Sequence, residues 1–393
     1  MLRKISAHYV FPSQGEPLKR GIISVDGDGT IVDVQDNEGN LSESEKLEFY
    51  DGIITPGFIN AHAHLELSHL KSQISQHTGL PAFIRQIGQL RNILATDQSM
   101  HDADWYMQQN GIVAVGDIAN SDRSFALKTS SKIKYFTFIE IFGIQDSIAK
   151  LKMETGTELC HQVKSLNLPG SLTPHAPYSM SEALWRMLRN FAMENNLPWS
   201  VHSQECEDEN RLFINKSGQL VDFLSFISSE FENWQAKGTT SLQYCKQFYT
   251  NVPKILLVHN TFTSKSDLEG ISELQDKIVL VLCPNANLYI ENKLPDIEML
   301  AKSGFSIALG TDSLASNTRL SILEEMKTIQ HHFQNISLID IITWSTLNGA
   351  KALGMEHQLG SIEKGKKPGL NLITDINFKE MRLTSQSEVK VLL

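Results

Sequence analysis

The chain has 393 residues and is 41% hydrophobic, with 24 glycines. That length fits one α/β barrel of about 250 residues plus a smaller domain, and does not fit a single small module. The 45 Asp and Glu residues outnumber the 35 Lys and Arg, and the net charge of −10 argues against a general binder of nucleic acid or anionic membrane, though not against a small anionic substrate.

The amino end, MLRKISAHYVFPSQGE, has no apolar run of signal-peptide length, and no stretch approaches the roughly 18 apolar residues of a membrane span. Cys160, Cys206, Cys245 and Cys283 are scattered and form no C-x-x-C, which predicts reduced thiols and a cytoplasmic protein. The segment RGIISVDGDGTIVDVQD predicts a hairpin, with β-branched runs broken by Gly27 and Gly29. A polar, acidic link (NEGNLSESEKLE) and then DGIITPGF follow. Near the carboxyl end, GSIEKGKKPGLNLITDINF reads as a turn and strand, so residues 1–55 and 355–393 are expected to pair into one small β domain around residues 56–354.

Within that central body, eight apolar runs predict strands: FINAHAH (58–64), GIVAVGDI (111–118), YFTFIEIF (135–142), GSLTPHAPY (170–178), LPWSVHSQE (197–205), KILLVHN (254–260), IVLVLCP (278–284) and FSIALGTD (305–312). Continuous rather than alternating apolar character suits parallel strands buried on both faces. Helical periods lie between them. Ser179 and Glu182 fit an S-x-x-E capping box ahead of Leu184, Met187, Leu188 and Phe191, and Ile322, Met326, Ile329 and Phe333 share a face further on. The segment from about 213 to 253 is expected to hold helices inserted after the fifth strand. Eight β/α units predict a (β/α)8 TIM barrel with its active residues at the carboxyl ends of the strands.

Polar residues stand where these apolar runs end: His62 and His64 on the first, His175 on the fourth, His202 on the fifth, His259 on the sixth and Asp312 on the eighth. Residues two apart on a strand point the same way, so both imidazoles of His62-Ala63-His64 can reach one point, with His202 and Asp312 converging from across the barrel mouth. Three imidazoles and a carboxylate suit one divalent metal, Zn²⁺ by default, with Fe²⁺ or Mn²⁺ as alternatives. A lone histidine at a strand end is ordinarily structural; the weight lies in the combination. His8, His77, His101, His161, His331, His332 and His357 are expected at the surface, in loops or charged helices.

The motifs TPGFINAHAHLE, TPHAPYS, VHSQE, LLVHN, CPNAN and LGTDSLASN together resemble the amidohydrolase superfamily over nearly the whole chain. LGTDSLASN and the His202-x-x-Glu205 pair are similar to the branch of cytosine, guanine and adenosylhomocysteine deaminases. That resemblance implies one metal held by His62, His64, His202 and Asp312. TPHAPY has no lysine for the carboxylated bridge of binuclear members, which favours a mononuclear site. It also implies that Asp312 is both ligand and base for an attacking water. Glu205 then protonates the ring nitrogen of a cyclic amidine and helps ammonia leave, while His259 donates a hydrogen bond to the new oxygen or polarises the water. His175 is expected to line the substrate pocket. Glu66 either binds ribose hydroxyls or a ring N–H, or pairs a nearby cation. Phe83, beside Arg85 in HTGLPAFIRQIGQLR, roofs the pocket, and Asn287 is a substrate contact, although CPNAN has Ala286 where the commoner pattern has serine.

HLELS, HAPYS, the acidic stretch after VHSQE, and LLVHNTF are similar to the 6-amino-6-deoxyfutalosine deaminases of the futalosine route to menaquinone. The resemblance therefore implies a small-molecule substrate, an adenine nucleoside, together with water, and kinship suggests a homodimer. Deamination of adenosylhomocysteine, methylthioadenosine, guanine, cytosine or a pterin stays open. So do a triazine-type chlorohydrolase, hydrolysis of a cyclic amide as in imidazolonepropionase, and a non-catalytic scaffold barrel, which would be expected to lack metal ligands.

Overall fold

The computed structural model describes residues 2–40, 47–92 and 96–393, so residues 41–46 of the acidic link lie outside the described residues. All eight predicted strands form: β1 (Phe58–Ala63), β2 (Ile112–Ala119), β3 (Lys134–Ile141), β4 (Gly170–Pro174), β5 (Trp199–Ser203), β6 (Ile255–His259), β7 (Ile278–Leu282) and β8 (Ser306–Leu309). Several stop short of the predicted limit because the polar residues closing each run leave the sheet; after β4, for example, Pro177–Ser179 makes a 3-10 turn. The strands are buried along nearly their whole length, and alternate residues enter different apolar clusters. Leu256, Val258, Val279 and Val281 pack in one, and Ile255, Leu257, Ile278 and Leu280 in another. Continuous apolar runs are what two covered faces require.

The strands form two four-stranded sheets, β1-β2-β3-β4 and β5-β6-β7-β8, and every neighbouring pair is parallel. Both seams between them are bridged. At one, the Thr311 and Asp312 N–H groups donate to the His62 carbonyl at 3.0 and 3.1 Å. At the other, the His202 N–H donates to the His175 carbonyl at 2.9 Å. Beneath that bond, Thr173 Oγ1 accepts the Ser200 N–H at 2.7 Å and donates to the Ser200 carbonyl at 2.6 Å. A hydroxyl thus does for β4 and β5 what ladder bonds do elsewhere.

A further seven-stranded sheet joins both chain ends. Leu370–Ile373 runs antiparallel to Leu47–Pro56, which pairs in parallel with Arg3–Val10. Ile22–Val25 and Ile31–Gln35 make the predicted hairpin, whose turn places Gly29 at φ +86°. His8 differs from its predicted loop placement: it lies in the strand Arg3–Val10 and is half-buried.

The expected capping box is also corrected. The helix Glu182–Asn195 is capped by Ser181, whose side chain accepts the Leu184 N–H at 3.2 Å. Ser179 is committed elsewhere, donating to the Ala176 carbonyl at 2.9 Å. Leu184 and Leu188 are buried as predicted, but Met187 is exposed, and the missed Trp185 fills the core by stacking on Phe248 at 5.3 Å. Between β5 and β6 the inserted helices appear as Glu207–Asn215, Gln219–Ile227 and Ser241–Tyr249. No helix among the described residues is long and apolar enough to cross a membrane.

Thr173→Val keeps the shape of the side chain but leaves the buried Ser200 N–H without its acceptor. Chemical denaturation should show a loss of about 1–3 kcal/mol; an unchanged midpoint would mean that the seam does not depend on this hydroxyl.

Candidate functional site

The carboxyl ends of the strands bring the four predicted ligands together. His64 Nε2 lies 3.1 Å from His62 Nε2 and 3.3 Å from His202 Nε2. Asp312 Oδ1 is 3.3 Å from His64 Nε2 and 3.7 Å from His62 Nε2. All four donor atoms fall within 4.8 Å of one another. The far side of each ring fixes which nitrogen faces inward: His202 Nδ1 meets the His175 carbonyl at 2.9 Å, and His62 Nδ1 faces Ser200 Oγ at 3.4 Å. A carbonyl can only accept, so His202 carries its proton on Nδ1 and points a lone pair at the centre. Burial pushes the His62 and His64 pKa values down to about 3, so these imidazoles are neutral. Burial alone would raise Asp312, but the facing His62 and His64 rings hold its carboxyl well below the ordinary range. Three imidazoles and one carboxylate, with their donor atoms crowded together, fit a divalent cation.

Strain accompanies this convergence. His259 (φ +77°) and Asp312 (φ +55°) adopt left-handed backbone conformations at the ends of their strands, and so does Gln204 (φ +48°) just before Glu205. Such conformations cost non-glycine residues about 1–3 kcal/mol and gather at functional sites.

Beside the four ligands, Glu205 Oε1 lies 3.5 Å from His259 Nε2, both side chains being almost wholly buried. Burial pushes the Glu205 carboxyl up to about 8; nearby Asp312 adds to the shift and His202 opposes it. His259 Nδ1 is 2.8 Å from Asn287 Oδ1, an amide oxygen that can only accept. The ring therefore carries its proton on Nδ1. Its Nε2, buried and without a hydrogen-bond partner, presents a lone pair, and burial lowers the pKa of the group.

His64, His202, Glu205, His259 and Asp312 line the floor of a cavity of about 770 Å³. His175 lines it as expected, with its Nδ1 2.8 Å from Ser179 Oγ, and Phe83 and Arg85 contribute to the wall. Two predicted substrate contacts are placed differently. Asn287 is absent from the wall because its amide is engaged with His259. Glu66 is turned away: its carboxylate accepts the Asn120 N–H at 3.3 Å, the Ser121 N–H at 3.2 Å and the Ser121 hydroxyl at 2.9 Å. It faces a second, more polar cavity of about 380 Å³ that shares Arg91, Asn120, Glu140 and Phe142 with the first.

Glu140 escaped the sequence reading. It is the penultimate residue of β3, accepts from Asn120 Nδ2 at 3.0 Å and places Oε1 3.5 Å from His202 Nδ1. Burial opposes its charge, but His175, His202 and His64 keep it ionised below the usual carboxylate range. The available signal was a glutamate inside YFTFIEIF, an otherwise apolar strand. Glu140, His175 and His202 form a second cluster of ligand-type side chains, but the His202 Nδ1 proton is already given to the His175 carbonyl, so this is no independent site.

The sequence profile of the amidohydrolase family matches residues 53–391. The chain belongs to that family. An adenosine deaminase of Helicobacter pylori is 27% identical over 380 residues, covering 93% of this amidohydrolase and 90% of that relative. A 5′-deoxyadenosine deaminase of Methanococcus vannielii is 25% identical over 378 residues, covering 92% and 83% of the two chains. Among solved structures, the aminofutalosine deaminase of Helicobacter pylori is similar with a TM-score of 0.79 and 25% sequence identity, over 97% of this chain and 94% of that one.

Elemental analysis of protein supplied with zinc should find about one equivalent per chain, and His64→Ala should hold less than about a tenth of that. Equal metal content in both would show that His64 is not a ligand.

Proposed function

We propose that this amidohydrolase is a metal-dependent hydrolytic deaminase of an adenine nucleoside, its two parallel sheets closing as one (β/α)8 barrel (56–354) capped by a composite β domain (1–55 and 355–393). The observation that carries the reading is the pairing, on one cavity floor, of a low-pKa carboxylate among the ligands with a high-pKa carboxyl beside them. Asp312, among the ligand rings, is held well below the ordinary carboxyl range, while burial pushes Glu205 up to about 8. Pairs of titratable groups pushed apart in this way mark the base and the acid of a hydrolysis.

His62, His64, His202 and Asp312 would hold the metal, with zinc favoured by an N₃O donor set. A divalent cation bound there supplies an activated water at neutral pH. Asp312 would accept a proton from the attacking water as the new C–O bond forms. His259 helps orient it by accepting a hydrogen bond through Nε2; of the two roles expected for this ring, the tautomer set by Asn287 supports polarising the water. Glu205 delivers its proton to the ring nitrogen, which keeps charge from building on the heterocycle. As the exocyclic C–N bond breaks, the proton held by Asp312 leaves with the amine as ammonia, the proton remaining on the new oxygen returns to Glu205, and the ring keeps that oxygen as a carbonyl.

Support for an adenine nucleoside comes from the relatives and from the shape of the cavity. At about 770 Å³ it exceeds what a bare base fills. Away from the floor much of its wall is apolar, with Phe83, Ile84, Phe223, Phe226 and Ile227, and Arg85 and Arg91 stand among them. Such a wall accommodates a 5′ substituent with apolar area beyond the ribose, either the aryl group of 6-amino-6-deoxyfutalosine, whose carboxylate Arg85 or Arg91 would face, or that of a 5′-deoxy or 5′-thio nucleoside, better than the hydroxyl of adenosine. A place in menaquinone synthesis follows if the first of these is the substrate.

The test is an ultraviolet assay of zinc-supplied protein with 6-amino-6-deoxyfutalosine, methylthioadenosine, adenosylhomocysteine and adenosine, with ammonia measured independently. Loss of adenine absorbance with matching ammonia, weakest for adenosine, is expected. Metal-loaded protein inert toward all four would overturn the nucleoside reading. Glu205→Gln should keep its metal and lose turnover by about 10²–10⁴-fold; a variant that retained most activity would remove Glu205 as proton donor.

A further inference from the structure

β1 does not run regularly along β2. Asn60 pairs with Val115 and Ala63 with Asp117, so two residues of β1, Ala61 and His62, stand opposite the single Gly116. This is a β-bulge at the H-x-H pair, and bulges re-aim side chains at the cost of ladder hydrogen bonds. Gly116 permits it, since a Cβ there would stand 2.5 Å from the Ala61 carbonyl oxygen. Past the bulge, the N–H of Leu65, the residue after His64, is taken by a side chain: Asp117 Oδ1 accepts it at 2.8 Å.

The other oxygen of that carboxylate, Oδ2, lies 2.6 Å from Lys128 Nζ, and both side chains are completely buried. Lys128 comes from the helix Phe125–Ser130 and also donates to Thr137 Oγ1 on β3 at 3.1 Å. Neither Asp117 nor Lys128 lines the cavity. Burying two charges is opposed by their desolvation, and an apolar pair of similar volume would ordinarily serve stability as well. What an apolar pair would not supply is an acceptor for Leu65.

We propose that Asp117, braced by Lys128, is a positioning residue for the metal centre, fixing the backbone that carries His64. The proposal rests on the metal site described above. In wild-type protein freed of metal, the Leu65 amide should already be protected from hydrogen exchange to the degree of the β2 amides. An amide that exchanges freely until metal is added would overturn the proposal, and this measurement needs no variant.

Two double variants, read by competition with a chelator, separate geometry from charge. D117N/K128M removes both charges and keeps the acceptor, and is expected to hold zinc within about threefold of wild type. D117L/K128M removes the acceptor, and is expected to hold zinc about 10–100-fold more weakly, with unfolding midpoints of the two metal-free variants close together. Equal affinity in both variants, whether high or low, would overturn the role given to the Leu65 bond. Wild-type protein that binds no zinc would instead overturn the metal centre itself, an outcome distinct from variants that bind as wild type does.

Discussion

Three imidazole nitrogens and a carboxylate oxygen lie within 4.8 Å of one another in a place from which water is largely excluded. Left alone, such a cluster is unfavourable: lone pairs face lone pairs, and burial keeps His62 and His64 from taking protons that would relieve the repulsion. The surrounding structure holds it in place nonetheless. His62 and Asp312 are joined through the seam where the Asp312 N–H meets the His62 carbonyl, and His202 is joined to β4 through the His175 carbonyl. The bonds that link the two sheets are therefore largely the bonds that set the cluster, which ties the integrity of the fold to the geometry of the centre.

The same burial acts in opposite directions on two carboxylates. At Asp312 its effect is outweighed by the adjoining His62 and His64 rings, while at Glu205, against the unprotonated edge of His259, it prevails. Each state depends on a neighbour further out. Ser316 donates its hydroxyl to Asp312 Oδ2, leaving Oδ1 toward the histidines, and Asn287 fixes the His259 tautomer. Division of labour between the proposed base and the proposed acid is thus a property of what each carboxylate faces, since both are acidic side chains on the floor of the same cavity.

These distinctions explain what was legible beforehand. Strand ends could be read because continuous apolar runs terminate in single polar residues, and the family resemblance added roles to them. The position of Asn287 was not legible, because its partner is 28 residues away at the end of β6 and the motif CPNAN says nothing of which way the amide turns. Strand alternation continued past His64 would aim Glu66 at the same point; the chain instead enters a 3-10 turn there, and its carboxylate meets the Asn120–Ser121 loop. Glu140 and Asp117 were hidden by the strength of the strand signal around them. A charge within an apolar run reads as an imperfection of composition until its partner, Lys128 or the His175–His202 pair, is seen in space.

Reaction class and substrate therefore differ in kind as problems for a sequence. Residues proposed to do the chemistry sit at strand ends, where the fold dictates position. The outer wall of the cavity is built instead by helices that follow different strands: Leu80–Leu90 contributes Phe83 and Ile84, and Gln219–Ile227 contributes Phe223 and Phe226. Their relative placement arises from packing between insertions, with the Arg85 guanidinium 5.9 Å from the centre of the Phe226 ring. Phe226 itself is 81% exposed, an aromatic surface left open at the cavity mouth that gains burial only when something apolar lies against it. An apolar 5′ group on the substrate would meet that condition, whereas a 5′-hydroxyl would not. Selectivity in this enzyme is accordingly expected to follow the apolar area beyond the ribose, while the floor beneath treats every adenine ring alike.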